Sequence, residues 1–247
     1  MGSLAGSDVG FDFNGRTVVV TGGTTGIGRA IADGFRDAGA ITVITGTRER
    51  GDYSEDFGSH RFVRFDLASA ESAVALAAGL DRCDVLINNA GGMLRNPSEM
   101  SPDGFALSVD INLNGVFRLC HALHPLLKVR GGSIVNTASM AATFGSPRVP
   151  AYSAAKGAII SLTKALANAW APDNIRVNAI SPGWIETRMT EAHVANPERS
   201  DPIMSRTAMA RWGTANDMVG PTLFLASDAA RYITGAVLPV DGGYSAG

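Results

Sequence analysis

Residues 16–21, Arg-Thr-Val-Val-Val-Thr, form a continuous β-branched run of the kind a strand buried on both faces requires. The run passes straight into a glycine-rich turn over residues 22–28. Apolar positions 31, 32 and 35 then recur at helical spacing up to Ala38. The same alternation continues along the chain. Further strands are expected at residues 41–45, 61–65, 84–88, 133–137, 175–180 and 236–240. Helices are expected at residues 69–80, 103–129, 150–171 and 215–226. Pro102 suits a first helical turn, Gly131-Gly132 ends that helix, and Pro172 stops the next. Residues 187–213 follow neither period and carry Pro197, Pro202, three Met and several Arg. Strands alternating with helices predict an α/β protein, a doubly wound parallel sheet with helices on both faces.

No repeat, linker or charge block divides the chain, so residues 13–247 read as one domain and residues 1–12 as a disordered polar lead-in. Between the second and third strands, residues 49–60 are too short and too rich in glycine for a full crossover helix. A hydrophobic content of 45 % leaves ample material for a core, and a net charge of −2 offers no basic surface for nucleic acid or an anionic membrane. Cys83 and Cys120 lie outside any Cys-x-x-Cys spacing and read as buried reduced thiols. The four histidines show no metal-ligand spacing, so no metal is expected. The N-terminus has no basic and apolar signal pattern, and Gly6 stands where a myristoylation signal has Ser or Thr, so a cytoplasmic protein is expected.

In a doubly wound sheet, ligands bind at the carboxyl ends of the strands. That topology gathers residues 22–28, Thr47, Asp66, Asn89 to Gly91, Ser139 and residues 182–187 on one edge. Gly22, Gly26 and Gly28 form a Gly-x-x-x-Gly-x-Gly turn, where glycines allow backbone to approach a pyrophosphate at a helix N-terminus. An acidic residue at the tip of the second strand would accept from a ribose 2′-hydroxyl, whereas a basic one would hold a 2′-phosphate. Arg48 stands there, with Glu49 beside it, so NADP(H) is favoured and NAD(H) is the alternative. Tyr152 and Lys156 sit one helical turn apart, where an ammonium can favour a phenolate and so tune a proton-transferring group.

With Thr21 to Gly28, Asn88-Asn89-Ala90-Gly91, Asn112, Ser139, Tyr152-Ser153-Ala154-Ala155-Lys156 and Pro182 to Thr187 in order, the sequence resembles the short-chain dehydrogenase/reductase family from about Phe13 onward. Within that family it looks like 3-oxoacyl carrier protein reductases and related sugar or polyol dehydrogenases. The resemblance implies a Rossmann-type fold and hydride transfer between NADP(H) and a secondary alcohol or ketone. Tyr152 would then be the general acid/base, and Lys156 would lower its pKa and hold the nicotinamide ribose. Ser139 would bind the substrate oxygen, and Asn112 would support a proton-relaying water. Cofactor contacts would come from Gly22, Thr24, Thr25, Gly26, Ile27, Gly28, Thr47, Arg48, Asp66, Leu67, Asn89, Ala90, Gly91, Pro182, Gly183, Ile185 and Thr187. Met140, Phe144 and Trp184 would wall the substrate pocket, and residues 187–213 would form its lid. The family also implies self-association, as a homotetramer or else a dimer, through the long helices and the last strand. Two other readings remain: an NAD-dependent sugar or polyol dehydrogenase, and a dinucleotide-binding sensor without turnover. Against the sensor stands the intact set Asn112, Ser139, Tyr152 and Lys156.

Overall fold

Val18, Val19 and Val20 are wholly buried because both faces of their strand are covered. They belong to β1 (Thr17–Val20), which heads the series β2 (Ile41–Gly46), β3 (Arg61–Arg64), β4 (Val85–Asn88), β5 (Ser133–Thr137), β6 (Arg176–Pro182) and β7 (Val237–Val240). The computed structural model describes residues 10–94 and 98–246; most of the expected lead-in, residues 1–9, lies outside them. The seven strands form one sheet in the order β3-β2-β1-β4-β5-β6-β7, and all the pairings are parallel. Strand order reverses between β1 and β4, which opens a crevice at their carboxyl ends.

Side-chain alternation divides the strands between two cores. Val19, Val43, Leu86, Ile134 and Val177 face one side and pack with Leu76, Leu119, Leu123 and Ile159. These four come from α2 (Ala70–Ala78), α4 (Gly115–Leu127) and α6 (Pro150–Trp170). Val18, Val20, Ile44, Ile87 and Ile180 face the other side with Ile31, Phe35 and Leu223, from α1 (Gly26–Asp37) and α9 (Val219–Ala226). Phe11 leans on this second core. Ser69 caps α2 by accepting from Ser72 N at 3.0 Å, as a serine before a helical run should.

The expected helix over residues 103–129 is instead two helices. α3 (Pro102–Val109) and α4 flank a wide π turn, Asp110–Asn114. The helix expected over residues 215–226 opens with a 3₁₀ turn, Ala215–Met218, closed by reciprocal capping between Thr214 and Asp217. Among the described residues, three short α-helices lie outside the expected set: α5 (Ala141–Phe144), and α7 (Glu191–Val194) and α8 (Pro197–Arg206) within the irregular stretch.

As the short spacing requires, no crossover helix joins β2 to β3. A 3₁₀ turn, Arg50–Asp52, is followed by Tyr53 and Phe57, both buried and gathered with Phe62 at centroid distances of 5.4–5.6 Å. The Arg48 guanidinium lies 4.1 Å from the Tyr53 ring centroid, and that of Arg50 lies 3.9 Å from Phe57. No described helix is long and apolar enough to cross a membrane.

Candidate active site

A cleft of about 580 Å³ runs along the carboxyl ends of the strands. Its lining includes Gly22, Thr24, Thr25, Gly26, Ile27, Thr47, Asp66, Leu67, Asn89, Ala90, Gly91, Ser139, Tyr152, Lys156, Pro182, Gly183, Ile185 and Thr187. Folding therefore brings together the residues that the sequence placed on one edge.

The glycine turn is shaped for backbone approach. Gly22 and Gly26 have φ of 64° and 56°, a region that favours glycine. A Cβ on Gly28 would lie 2.3 Å from Gly22 O and 2.4 Å from Asn89 Nδ2, so α1 is seated directly against the turn. Gly28 acts from this seat and not from the cleft wall. The N-cap of α1, Thr25, makes no side-chain cap, which leaves first-turn N–H groups to meet an anion. These features fit a dinucleotide pyrophosphate. Across the cleft, the Thr187 methyl carbon would stand 3.7 Å from a Cβ on Gly26.

Thr21 ties the second loop to the first. Its Oγ1 accepts from Asn89 N at 3.0 Å and from Ala90 N at 2.9 Å, while Asn89 Nδ2 donates to Thr21 O at 3.1 Å. Asp66 Oδ1 accepts from Ala68 N at 3.0 Å, which leaves its other oxygen at the cleft rim. Tyr53 and Gly46 complete this end of the wall, and neither was expected there. Gly46 is needed for the fit, since a Cβ there would stand 2.2 Å from the Tyr53 hydroxyl. Arg48 lies outside the lining, exposed above Tyr53, with its Nη1 donating to Asp52 O at 3.0 Å.

At the opposite end, Ser139 stands beside the Tyr152 hydroxyl and favours its phenolate. Lys156 is buried, and its Nζ donates to Thr137 O at 2.6 Å and lies 5.6 Å from the Tyr152 ring centroid. Burial alone lowers the Lys156 ammonium from 10.5 to about 8. Burial also pushes the Tyr152 phenol up; the neighbouring Ser139 hydroxyl opposes this, and the negative charge of Glu99 adds to it. The expected lowering of Tyr152 by Lys156 is thus absent from the protein alone. Desolvation is the leading influence on the phenol and holds it protonated.

Asn112 lies in the π turn, wholly buried and outside the cleft lining. Its Oδ1 accepts from Gly92 N at 2.9 Å, and its Nδ2 donates to Gly92 O at 2.9 Å and to Ser108 O at 2.9 Å. A Cβ on Gly91 would meet Asn112 Oδ1 at 2.7 Å and Lys156 Nζ at 3.7 Å. Asn112 therefore anchors the Gly91-Gly92 backbone beside Lys156.

The three expected pocket-wall residues do not line this cleft. Met140 starts α5, its backbone N–H donating to Pro182 O at 3.2 Å. Phe144 turns outward to Tyr244, with the Arg206 guanidinium 4.3 Å from the Phe144 centroid and 4.5 Å from that of Tyr244. Trp184 packs against His193 and Trp212 at 5.5 and 5.7 Å and borders a separate hollow of about 440 Å³. Side-chain packing beyond the strand ends decides the orientations of Phe144 and Trp184, and it has no sequence period. Arg118, basic and near the cleft in sequence, is taken up by Asp110 at 2.9 Å and Leu67 O at 2.8 Å.

Comparison with known proteins agrees with this geometry. The family described as enoyl-(acyl carrier protein) reductase matches residues 22–245. The 2-dehydro-3-deoxy-D-gluconate 5-dehydrogenase of Pseudoalteromonas atlantica is 37 % identical, over 95 % of this chain and 97 % of its own. A structure from Beutenbergia cavernae with NADP bound at low occupancy is 41 % identical, with a TM-score of 0.88, covering 96 % of this chain and 100 % of that one. A gluconate 5-dehydrogenase from Burkholderia cenocepacia in complex with NADP and tartrate is 32 % identical, with a TM-score of 0.88, covering 96 % of this chain and 98 % of that one. The chain belongs to the short-chain dehydrogenase/reductase family and is an oxidoreductase of that family.

Proposed function

We propose that the protein interconverts a secondary alcohol and its ketone on a sugar acid, using NADP(H), with Tyr152 as general acid/base. The observation that carries this reading is the convergence of Ser139, Tyr152 and Lys156 at one end of a cleft whose other end is a glycine turn at a helix N-terminus. The sugar-acid substrate rests on the gluconate-type activities named for the relatives. Support for NADP(H) comes from Arg48 at the tip of β2 and from the NADP held by two related structures.

Bound in the cleft, NADP(H) supplies or accepts the hydride. In reduction, the Tyr152 hydroxyl gives its proton to the substrate oxygen as negative charge develops there. Ser139 Oγ donates a second hydrogen bond to that oxygen. A phenol kept protonated by burial suits this donor role. In oxidation, the phenol must first give up its own proton, and Tyr152 as the phenolate then takes the alcohol proton. Lys156, held by Thr137 O and lowered to about 8, is close to titration and able to restore the proton balance of the phenol. Asn112 keeps the Gly91-Gly92 backbone against this pair.

Residues 187–213 form the substrate lid, since Thr187, Arg188, Met189 and Thr190 border the cleft and α8 follows them. We also infer a cytoplasmic homotetramer. In support, Phe105, Leu107 and Phe117 of α3 and α4 expose 41, 37 and 44 % of their surface.

Turnover of gluconate-type substrates with NADP(H) and with NAD(H) tests the reading. Tyr152→Phe should lower kcat by about 10²–10⁴-fold while NADPH affinity holds. Arg48→Ala should weaken NADPH by about tenfold or more and leave NADH unchanged. Undiminished kcat in Tyr152→Phe refutes the acid/base role, and equal NADPH and NADH affinities in the unmodified protein refute the coenzyme assignment.

A further inference from the structure

Only 2 % of Glu99 is exposed, and it stands just before α3, on the protein side of the active site. An acid buried this deeply needs hydrogen-bond donors around it. Its Oε2 accepts from Tyr152 N at 2.8 Å. Its Oε1 accepts from Leu94 N at 2.9 Å and from Ser108 Oγ at 3.2 Å. Ser108 Oγ also receives Asn112 Nδ2 at 3.3 Å. One carboxylate thus joins the loop after β4, the body of α3 and the start of α6, and reaches the backbone of Tyr152 directly and the side chain of Asn112 through Ser108.

The place it occupies on α6 matters. Pro150 opens this 21-residue helix, and its N-cap, Val149, has no side chain able to cap. Tyr152 is in the first turn, so its N–H has no partner within the helix. Glu99 caps from outside and adds negative charge at the positive end of the helix. Pulling Tyr152 N toward a fixed carboxylate sets both the rotation and the height of the helix end that carries the phenol.

We propose that Glu99 is a positioning residue for Tyr152, acting through the Tyr152 N–H, and that it couples the catalytic tyrosine to the Asn112–Gly92 loop. This rests on the reading of Tyr152 as general acid/base. Glu99 has an electrostatic effect as well. The phenol is faced by Lys156 from its own helix, by Ser139 after β5 and by Glu99 ahead of α3, and of these Glu99 alone supplies negative charge that holds the proton on. Removing that charge therefore shifts the phenol's titration to lower pH.

The test is Glu99→Gln, compared with unmodified protein by steady-state kinetics over pH and by near-ultraviolet absorbance of the Tyr152 phenolate, isolated by subtracting Tyr152→Phe. A glutamine has a single oxygen for two N–H donors and sets its own NH₂ against the other. The expected result is a fall in kcat of about tenfold or more, because the reacting phenol is displaced. Substrate KM should change little, and the phenolate midpoint should drop by about 1 unit. Wild-type kcat together with an unchanged midpoint overturns the inference, even if Tm falls, because Glu99 would then only pack. Should Glu99→Gln not fold, Glu99→Asp takes its place. The shorter carboxylate keeps the charge but reaches one donor group only, so kcat should fall while the midpoint holds, and wild-type kcat there overturns the inference. Unmodified protein without turnover on any alcohol or ketone would defeat the acid/base reading instead, and the absorbance midpoint would still test Glu99 separately.

Discussion

Replacing Gly28 with alanine should loosen the seat of α1 and weaken cofactor binding together. The added Cβ would stand 2.3 Å from Gly22 O, 2.4 Å from Asn89 Nδ2 and 2.9 Å from Gly22 C, against ordinary contact from about 3.4 Å. Neither neighbour can yield cheaply. Gly22 is fixed at φ 64°, and Asn89 is held by Thr21 through both its N–H and its amide. The helix must therefore withdraw by about 1 Å, and overpacking of this kind costs about 1–3 kcal/mol. Alanine returns roughly 1 kcal/mol through its better helix propensity. A net loss of up to about 2 kcal/mol lowers Tm by up to about 8 °C in a chain of this size. The withdrawn N–H groups lose charge-assisted hydrogen bonds worth about 1.5–3 kcal/mol, so NADPH should bind about 10- to 150-fold more weakly. Thermal melting and fluorescence titration read the two effects. Gly220→Ala is the control, because nothing lies within 4 Å of its added Cβ; it should keep NADPH affinity and not lower Tm. A Gly28→Ala protein with unaltered Tm and unaltered NADPH affinity would refute the reasoning. A lower Tm with full affinity would show that the turn does not hold the phosphates.

Lys156→Met should make the cofactor-free protein more stable at neutral pH by roughly 3 kcal/mol, since a shift from 10.5 to about 8 marks the cost of burying the ammonium. The folded protein releases this proton before the unfolded chain does, so stability contributed by Lys156 rises with pH between about 8 and 10.5. The Tm difference between Lys156→Met and the unmodified protein should therefore shrink across that window, and a constant difference would contradict it. Thr21→Val keeps the shape but strands the N–H groups of Asn89 and Ala90, costing about 2–4 kcal/mol; urea unfolding should show a clearly lower midpoint. Asp217→Ala removes both the pairing with Arg211 and the cap at Thr214, and should lower stability by about 1–2 kcal/mol. Because Arg211 and the Thr214 N–H hold the Asp217 carboxyl low, the same loss should appear in the unmodified protein only in strong acid.

The sheet was legible because each central strand is covered on both faces, and such burial writes itself as a β-branched run, Val18 to Val20 being the plainest case. Its topology then predicted which loops meet, and Gly22 to Gly28, Asn89 to Gly91 and Tyr152 with Lys156 do share one cleft. The π turn at Asp110–Asn114 was not legible, because one extra residue per turn leaves the apolar spacing nearly unchanged. The tie made by Thr21, and the places of Tyr53 and Glu99, escaped notice for another reason. Each matters through partners far along the chain, at 68, 69 or 53 residues for Asn89, Ala90 and Tyr152, or through a ring set into a loop with no period. Met140, Phe144 and Trp184 were named from nearness to the expected nicotinamide site; Phe144 packs on Tyr244 and Trp184 on Trp212, contacts that no sequence period announces.

The loop between β2 and β3 also bears on how such a protein can change. On the proposed reading its Arg48 selects the coenzyme, yet Tyr53 and Phe57 are the buried hydrophobic side chains it sends inward between Thr47 and Ser59. A segment with so few obligations to the core tolerates insertion, deletion and exchange, while the strands on either side keep their register. On the proposed reading, coenzyme preference is thus carried by a detachable part, open to grafting or to natural drift while the cleft end at Tyr152 stays as it is.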